Sequence, residues 1–264
     1  MKIGILGAGN VAVHLVAALV EQGHTVCVWN RSEDPLSMFR QKNLCCSTSM
    51  NDVLNNTEIN IICVKDSAIG DVARQLHEST DNTKAVVAHT SGSTPMAVVE
   101  SFFENCGVIY PMQTFSRHIE PNFSEIPFFI EANNPASADK LKLLASSMSD
   151  LVFDLDSRQR EMLHLACVFA CNFTTHNFSI AEKLLKEIGL PFSVVLPLVN
   201  ETIRKANLSS PGLIQTGPAV REDHATLKRH QQLLKTLPDE LEIYRSMSQN
   251  IMKYKHHKNS QQND

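Results

Sequence analysis

Six residues near the start of the chain, Gly7-Ala8-Gly9-Asn10-Val11-Ala12, have the types and spacing to hold a pyrophosphate. In a strand–turn–helix unit the first glycine permits the turn and the second lets backbone approach the phosphates. A small third residue, here Ala12, lets helix pack on strand. Gly7, Gly9, Asn10 and Val11 are therefore the candidate cradle, because the first N–H groups of a helix lack intrahelical acceptors and lie at the positive end of its dipole. About 20 residues further on, where an NAD-selective site places an acid for the ribose, stand Asn30, Arg31 and Ser32. An arginine can pair with a 2′-phosphate and a serine can donate to it, so these three favour NADP over NAD. The alternative is a solvated Arg31, with Glu33 or Asp34 on the ribose.

A second cluster, His89-Thr90-Ser91-Gly92-Ser93, concentrates donors, acceptors and a titratable group after a buried strand. His89, Ser91 and Ser93 are the candidates for the nicotinamide end. A polar turn capping the next helix, with Ser93 or Thr94 before Pro95, would use the same residues structurally. Gln113 and Thr114 are weaker candidates for substrate contact. Later in the chain, His164, Val168 and Asn172 lie four apart, so His164 and Asn172 fall on one broad helical face across two turns. Arg221 could bind a carboxylate or phosphate bidentately or join two subunits, and Asp223 could cap the helix that follows.

These residues need a scaffold, and the pattern of apolar runs describes one. Short strands are expected at 3–6, 25–30, 59–64, 85–88, 108–110, 128–131 and 151–155, with helical patterns between several of them. Strands alternating with helices imply an α/β fold, a doubly wound parallel Rossmann sheet whose ligands sit beyond the carboxyl ends of its strands. From residue 156 the alternation stops and helices follow, a long one over 157–188 and others over 193–205, 224–237 and 239–253. The expected division is a nucleotide-binding domain over 1–155 and an all-α substrate or dimerisation domain over 156–264, with 255–264 frayed.

With 264 residues, 43% of them hydrophobic, the chain can bury a sizeable core. A formal charge of −4 supplies no basic field for nucleic acid or an anionic membrane surface. No apolar run approaches the roughly 20 residues that span a bilayer. No signal-peptide pattern opens the sequence. A cytoplasmic protein with a small-molecule substrate is expected. The seven cysteines lack zinc-site spacing and read as free thiols, several in the core, so no metal is expected.

The glycine turn, the Asn-Arg-Ser that follows the second strand, the His-Thr-Ser-Gly-Ser segment and the helical second half together resemble the superfamily of pyrroline-5-carboxylate reductase, ketopantoate reductase and 6-phosphogluconate-type dehydrogenases. More closely the chain resembles Rossmann-like NADP oxidoreductases of the deazaflavin-dependent type with a C-terminal domain of unknown function. Five stretches carry that resemblance: 7–12, 89–93, 110–115, 164–172 and 216–223. Relatives usually have glycine where this chain has Glu222. The resemblance implies hydride transfer between nicotinamide and a small carbonyl, imine or hydroxyl substrate at an interdomain cleft, and a homodimer formed through the helical domain. It also implies that His164 replaces a lysine as proton donor or acceptor, with Asn172 positioning the substrate. The rival reading is a regulator or scaffold that binds NADP without catalysis.

Overall fold

Near-continuous apolar runs such as Ile3–Leu6 and Ile59–Ile62 leave no polar face, so their strands must be covered on both sides. The computed structural model describes residues 1–54, 56–79 and 84–261, of 255–261 the backbone alone. The chain divides into two compact units, Met1–Asn172 and Phe173–Asp264. In chain order the first contains β1 (Lys2–Leu6), α1 (Asn10–Glu21), β2 (Thr25–Trp29), α2 (Ser37–Arg40), β3 (Cys45–Ser47), α3 (Met50–Leu54), β4 (Ile59–Ile62) and α4 (Ile69–Ser79). It continues with β5 (Val86–His89), α5 (Ala97–Glu100), β6 (Cys106–Pro111), β7 (Phe128–Ala132), α6 (Pro135–Ser146), β8 (Val152–Asp154) and α7 (Ser157–Cys167).

The described strands form one eight-stranded sheet in the order β3-β2-β1-β4-β5-β6-β7-β8. The winding reverses between β1 and β4, which opens a crevice at their carboxyl ends. One face of the sheet packs on α1 and α6 through Leu15, Leu19, Leu141 and Leu144, and the other on α3 and α4 through Leu54, Val72 and Leu76. Burying each such side chain contributes about 1.5–3 kcal/mol, so the central strands are the most firmly held. A buried Asn60 is accommodated because Gly4, its partner in register, has no side chain: a Cβ there would lie 2.4 Å from the Asn60 Oδ1.

Two features depart from a uniformly parallel sheet. β7 runs antiparallel to β6, and β8 is parallel to β7. The segment between β6 and β7 contains only a single 3₁₀ turn, Phe123–Glu125, so no crossover helix is available to return the chain for a parallel pairing. Three elements of this unit were not foreseen from the sequence. α2 is only four residues long, β3 only three, and α6 is capped by Asn134, whose side chain accepts from the Ser137 N–H at 2.9 Å, with Pro135 in its first turn.

The long helical pattern from 157 is interrupted by a π-helical turn, Val168–Phe173, at the limit of the two units. It begins with a capping box in which Asp156 accepts from the Gln159 N–H and Gln159 accepts from the Asp156 N–H. The second unit contains α8 (Thr174–Glu187), α9 (Leu196–Leu208), α10 (Pro211–Ile214), α11 (His224–Leu233) and α12 (Pro238–Gln261). Pro197 is tolerated because it lies in the first turn of α9. The backbone is helical to Gln261. The side chains from 255 onward and residues 262–264, where a frayed end was expected, lie outside the described residues.

Candidate active site

The turn after β1 is built as its glycines require. Gly7 has φ +124°, and a Cβ on it would come within 2.3 Å of the Cys63 carbonyl oxygen, so any side chain there would strike the backbone just after β4. Ala12 is fully buried. Gly9 is the N-cap of α1, and no side chain caps the helix, which leaves its first N–H groups available to an anion. Asn10 instead donates to the Phe115 carbonyl at 3.2 Å, tying the loop after β6 to the start of α1.

A crevice of about 830 Å³ follows the carboxyl ends of the strands. Gly9, Asn10 and Val11 line it from the glycine turn, Asn30 and Arg31 from the end of β2, and Thr90 and Gln113 from the loops after β5 and β6. Ser32 stands beside Asn30, which donates to its carbonyl at 2.9 Å and to its hydroxyl at 3.2 Å. Two further cations, Lys65 and Arg74, line the same space. Arg74 was not foreseen: three residues after Asp71 and paired with it at 2.6 Å, it reads in sequence as an ordinary surface ion pair on a helix.

The His89–Ser93 segment divides into inward and outward parts. The His89 ring is fully buried, and its Nδ1 accepts from the Ser91 N–H at 3.2 Å. Burial, reinforced by the Arg160 charge, pushes its pKa down to about 4, so the ring is neutral at physiological pH. The Ser91 hydroxyl, also buried, accepts from the N–H groups of Ser93 and Thr94 and donates to the Thr94 hydroxyl, which folds the loop itself; α5 has Met96 at its N-cap and no side-chain cap, so neither Ser93 nor Thr94 caps it. Ser93 donates from its hydroxyl to Asp66 at 2.6 Å.

Gly92 brings the next group in. A Cβ on it would lie 2.7 Å from His164 Nδ1 and 2.9 Å from Tyr110 Cζ, so the absence of a side chain admits both rings against the loop. The Tyr110 hydroxyl is 3.3 Å from His164 Nδ1, and the two rings meet edge to face at 6.1 Å. Burial pushes the Tyr110 phenol up to about 12. One turn before His164, the buried Arg160 forms an ion pair with Glu131 of β7 and donates to the Thr94 carbonyl at 2.6 Å. Ser157 completes the network, donating to Glu131 at 2.9 Å and accepting from the Met96 N–H at 3.0 Å. Arg160 and Glu131 are 29 positions apart, and an arginine near a helix start reads as solvated, so nothing in the sequence announced the pair.

Asn172 is exposed within the π turn. Four α-helical steps of 100° followed by four π-helical steps of roughly 82° amount to about 728°, within ten degrees or so of two full turns from His164; an uninterrupted α-helix would leave Asn172 about 80° away. Arg221 is exposed on the second unit, beside Glu222, which holds φ +57°, a conformation that favours glycine. Asp223 accepts from the Thr226 N–H at 3.0 Å and caps α11; that bond draws its carboxyl below the usual range.

Comparison with known proteins is consistent with this geometry. Residues 2–92 match the family model for NADP oxidoreductase, coenzyme F420-dependent, and residues 126–251 match that for a domain of unknown function, DUF2520. The chain is similar to BF3122 of Bacteroides fragilis, described as a candidate NADP oxidoreductase, at 41% identity and a TM-score of 0.89, over 96% of this chain and 98% of that one. It shares its fold with an imine reductase from Myxococcus stipitatus solved in complex with NADP+, at 15% identity and a TM-score of 0.67, over 96% and 92% of the two chains. A shorter match, 35% identical over 65 residues, is to the cytokine-like nuclear factor N-PAC of Homo sapiens; it takes in 25% of this chain and 12% of that protein's length.

Proposed function

The chain belongs to the family of NADP oxidoreductases of the coenzyme F420-dependent type that carry a DUF2520 domain, and from that premise we propose that it transfers a hydride between NADP and a small carbonyl, imine or hydroxyl substrate. The crevice carries this reading. It combines an uncapped helix N-terminus, a glycine turn with no room for a side chain at Gly7 and three cations, Arg31, Lys65 and Arg74.

NADPH, when bound, supplies the hydride. Gly9, Asn10 and Val11 present backbone N–H groups to the pyrophosphate over the turn that Gly7 permits. Arg31 pairs with the 2′-phosphate, Asn30 and Ser32 complete that end, and Arg74 adds a second guanidinium. Glu33, one of the two acids that could have taken a ribose hydroxyl instead, is engaged by Arg40 at 2.8 Å. Ser91 and Ser93 shape the loop at the nicotinamide end, and His89 acts from beneath by receiving the Ser91 N–H. In the reducing direction the substrate carbon gains the hydride, its heteroatom gains a proton from His164, and NADP+ remains. Asn172, Gln113 and Arg221 orient the substrate, Arg221 through a carboxylate or phosphate. A cytoplasmic homodimer joined through the second unit belongs to the same reading, as does a division of labour in which residues 1–155 bind cofactor and 156–264 serve substrate and assembly.

Calorimetric titration with NADPH and NADH tests the premise. NADPH should bind in the micromolar range and NADH more weakly. Arg31→Ala should weaken NADPH about tenfold, the equivalent of one lost charge-assisted contact, and leave NADH nearly unchanged. Equal losses for the two cofactors would remove the phosphate-selective role of Arg31, and no binding of either would remove the nucleotide site.

A further inference from the structure

We propose that the cleft between α1, α2 and the loop joining β6 to β7 is a second binding site, for a free aliphatic α-amino acid, and that it is coupled to the nucleotide crevice. The cleft encloses about 570 Å³. Two cations, Lys42 and Arg117, and two acids, Glu21 and Glu120, line it, yet none of the four forms an ion pair among the described residues. Opposite charges that share a cavity without pairing suit a ligand carrying both signs. Arg117 and Lys42 can take an α-carboxylate, and the acids an α-ammonium. The buried His14 stands in the same wall. Its Nε2–H donates to the Ser116 carbonyl at 2.9 Å, which in the neutral ring leaves Nδ1 as a further acceptor for the ammonium.

The walls also select the rest of the ligand. A smaller space of about 160 Å³ shares Val13, Ala17, Met38 and Lys42 with the cleft and is otherwise lined by Val16, Val20, Phe39 and Leu44. Lys42 is the only polar side chain on it, so it takes an aliphatic chain and offers nothing to a polar one. A peptide brings only one of the two α-charges at either end, which leaves the free amino acid as the occupant. Coupling follows from parts the two sites share. Phe115 lines the nucleotide crevice and stacks on the His14 ring at 5.8 Å. Asn10 lines the crevice too and donates to the Phe115 carbonyl at 3.2 Å. One short piece of loop, held to one helix, therefore separates the sites, and a ligand that fixes it from one side acts on the other.

L-norleucine is the probe, with hexanoate and pentylamine, the same chain without the ammonium or without the carboxylate, as controls; calorimetry on the full chain reads all three. L-norleucine should bind in the millimolar range or tighter, and each control on the order of tenfold more weakly, the equivalent of one lost charge-assisted contact. Replacing both cations, Lys42→Gln with Arg117→Gln, should weaken L-norleucine about tenfold and leave pentylamine unchanged. Replacing both acids, Glu21→Gln with Glu120→Gln, should weaken it as much and leave hexanoate unchanged. All four side chains are exposed, so the variants keep the fold. With L-norleucine present, NADPH affinity should shift about fivefold, and NADPH should shift L-norleucine affinity by the same factor. No binding at millimolar L-norleucine, or binding no tighter than that of either control, would overturn the site. The titrations without NADPH decide this whether or not that cofactor binds, and an NADPH titration unchanged by L-norleucine would overturn the coupling.

Discussion

His89 shows how a residue of promising type can serve a site from behind it. Position and chemistry marked it for the nicotinamide end, yet its ring is fully buried and neutral, held against the Ser91 N–H. Its pKa of about 4 lies below the unfolded value of about 6.5. As pH falls through that window the unfolded chain takes up a proton that the folded chain refuses, so stability declines as pH falls from about 6.5 toward 4, by a total on the order of 3 kcal/mol. Above this window the group adds no slope. Urea midpoints between neutrality and mildly acid pH should show that decline, and His89→Asn should flatten it; identical slopes would mean that other groups dominate. Gly7 was legible because a glycine turn after a strand has one geometric meaning. Burial of His89 was not, because four apolar strand residues and a histidine read alike whichever way the last side chain turns.

At the scale of elements, α7 is the piece whose placement matters most. β7 and β8 run opposite to the other strands, so the chain leaves the sheet at the edge away from the crevice and α7 climbs back, passing Glu131 at Arg160 before reaching Tyr110 at His164. The fastening between them is a desolvated ion pair, with Arg160 at 1% exposure and Glu131 at 14%. Removing one partner should cost more than removing both. Arg160→Met should lower unfolding free energy by about 3 kcal/mol, and adding Glu131→Leu should recover much of it. A single variant as stable as wild type in chemical denaturation would show that the pair fastens nothing. The Asp156–Gln159 capping box that starts α7 is written in adjacent residues and was legible, and Asn134-Pro135 ahead of α6 offered the same kind of signal. The ion pair depends on a strand direction that follows from the short, helix-poor connection between β6 and β7, a property of what the sequence lacks.

For the whole molecule, the order of strands around β1 and β4 decides where a ligand can lie, and that much followed from alternating apolar runs. Assembly is less direct. Large apolar side chains stand exposed on the second unit, among them Leu198 at 69%, Leu208 at 73%, Leu213 at 66% and Leu233 at 78%. Left in water, they forgo the stabilisation that burial brings, about 25 cal/mol for each Å² covered. Sedimentation at micromolar concentration should therefore give twice the mass of one chain, and a monomer at all concentrations would dismiss the homodimer.

The π turn at Val168–Phe173 has a bearing on how related chains should be compared. Such a turn is an α-helix that has absorbed one inserted residue. Without the insertion, the asparagine would follow the histidine by seven positions rather than eight, about 700° around an ordinary helix and still within roughly 20° of alignment. A histidine and an asparagine seven positions apart on an uninterrupted helix, or eight apart across a π turn, therefore describe the same arrangement. An alignment that counts the difference as a lost residue mistakes a change of length for a change of function.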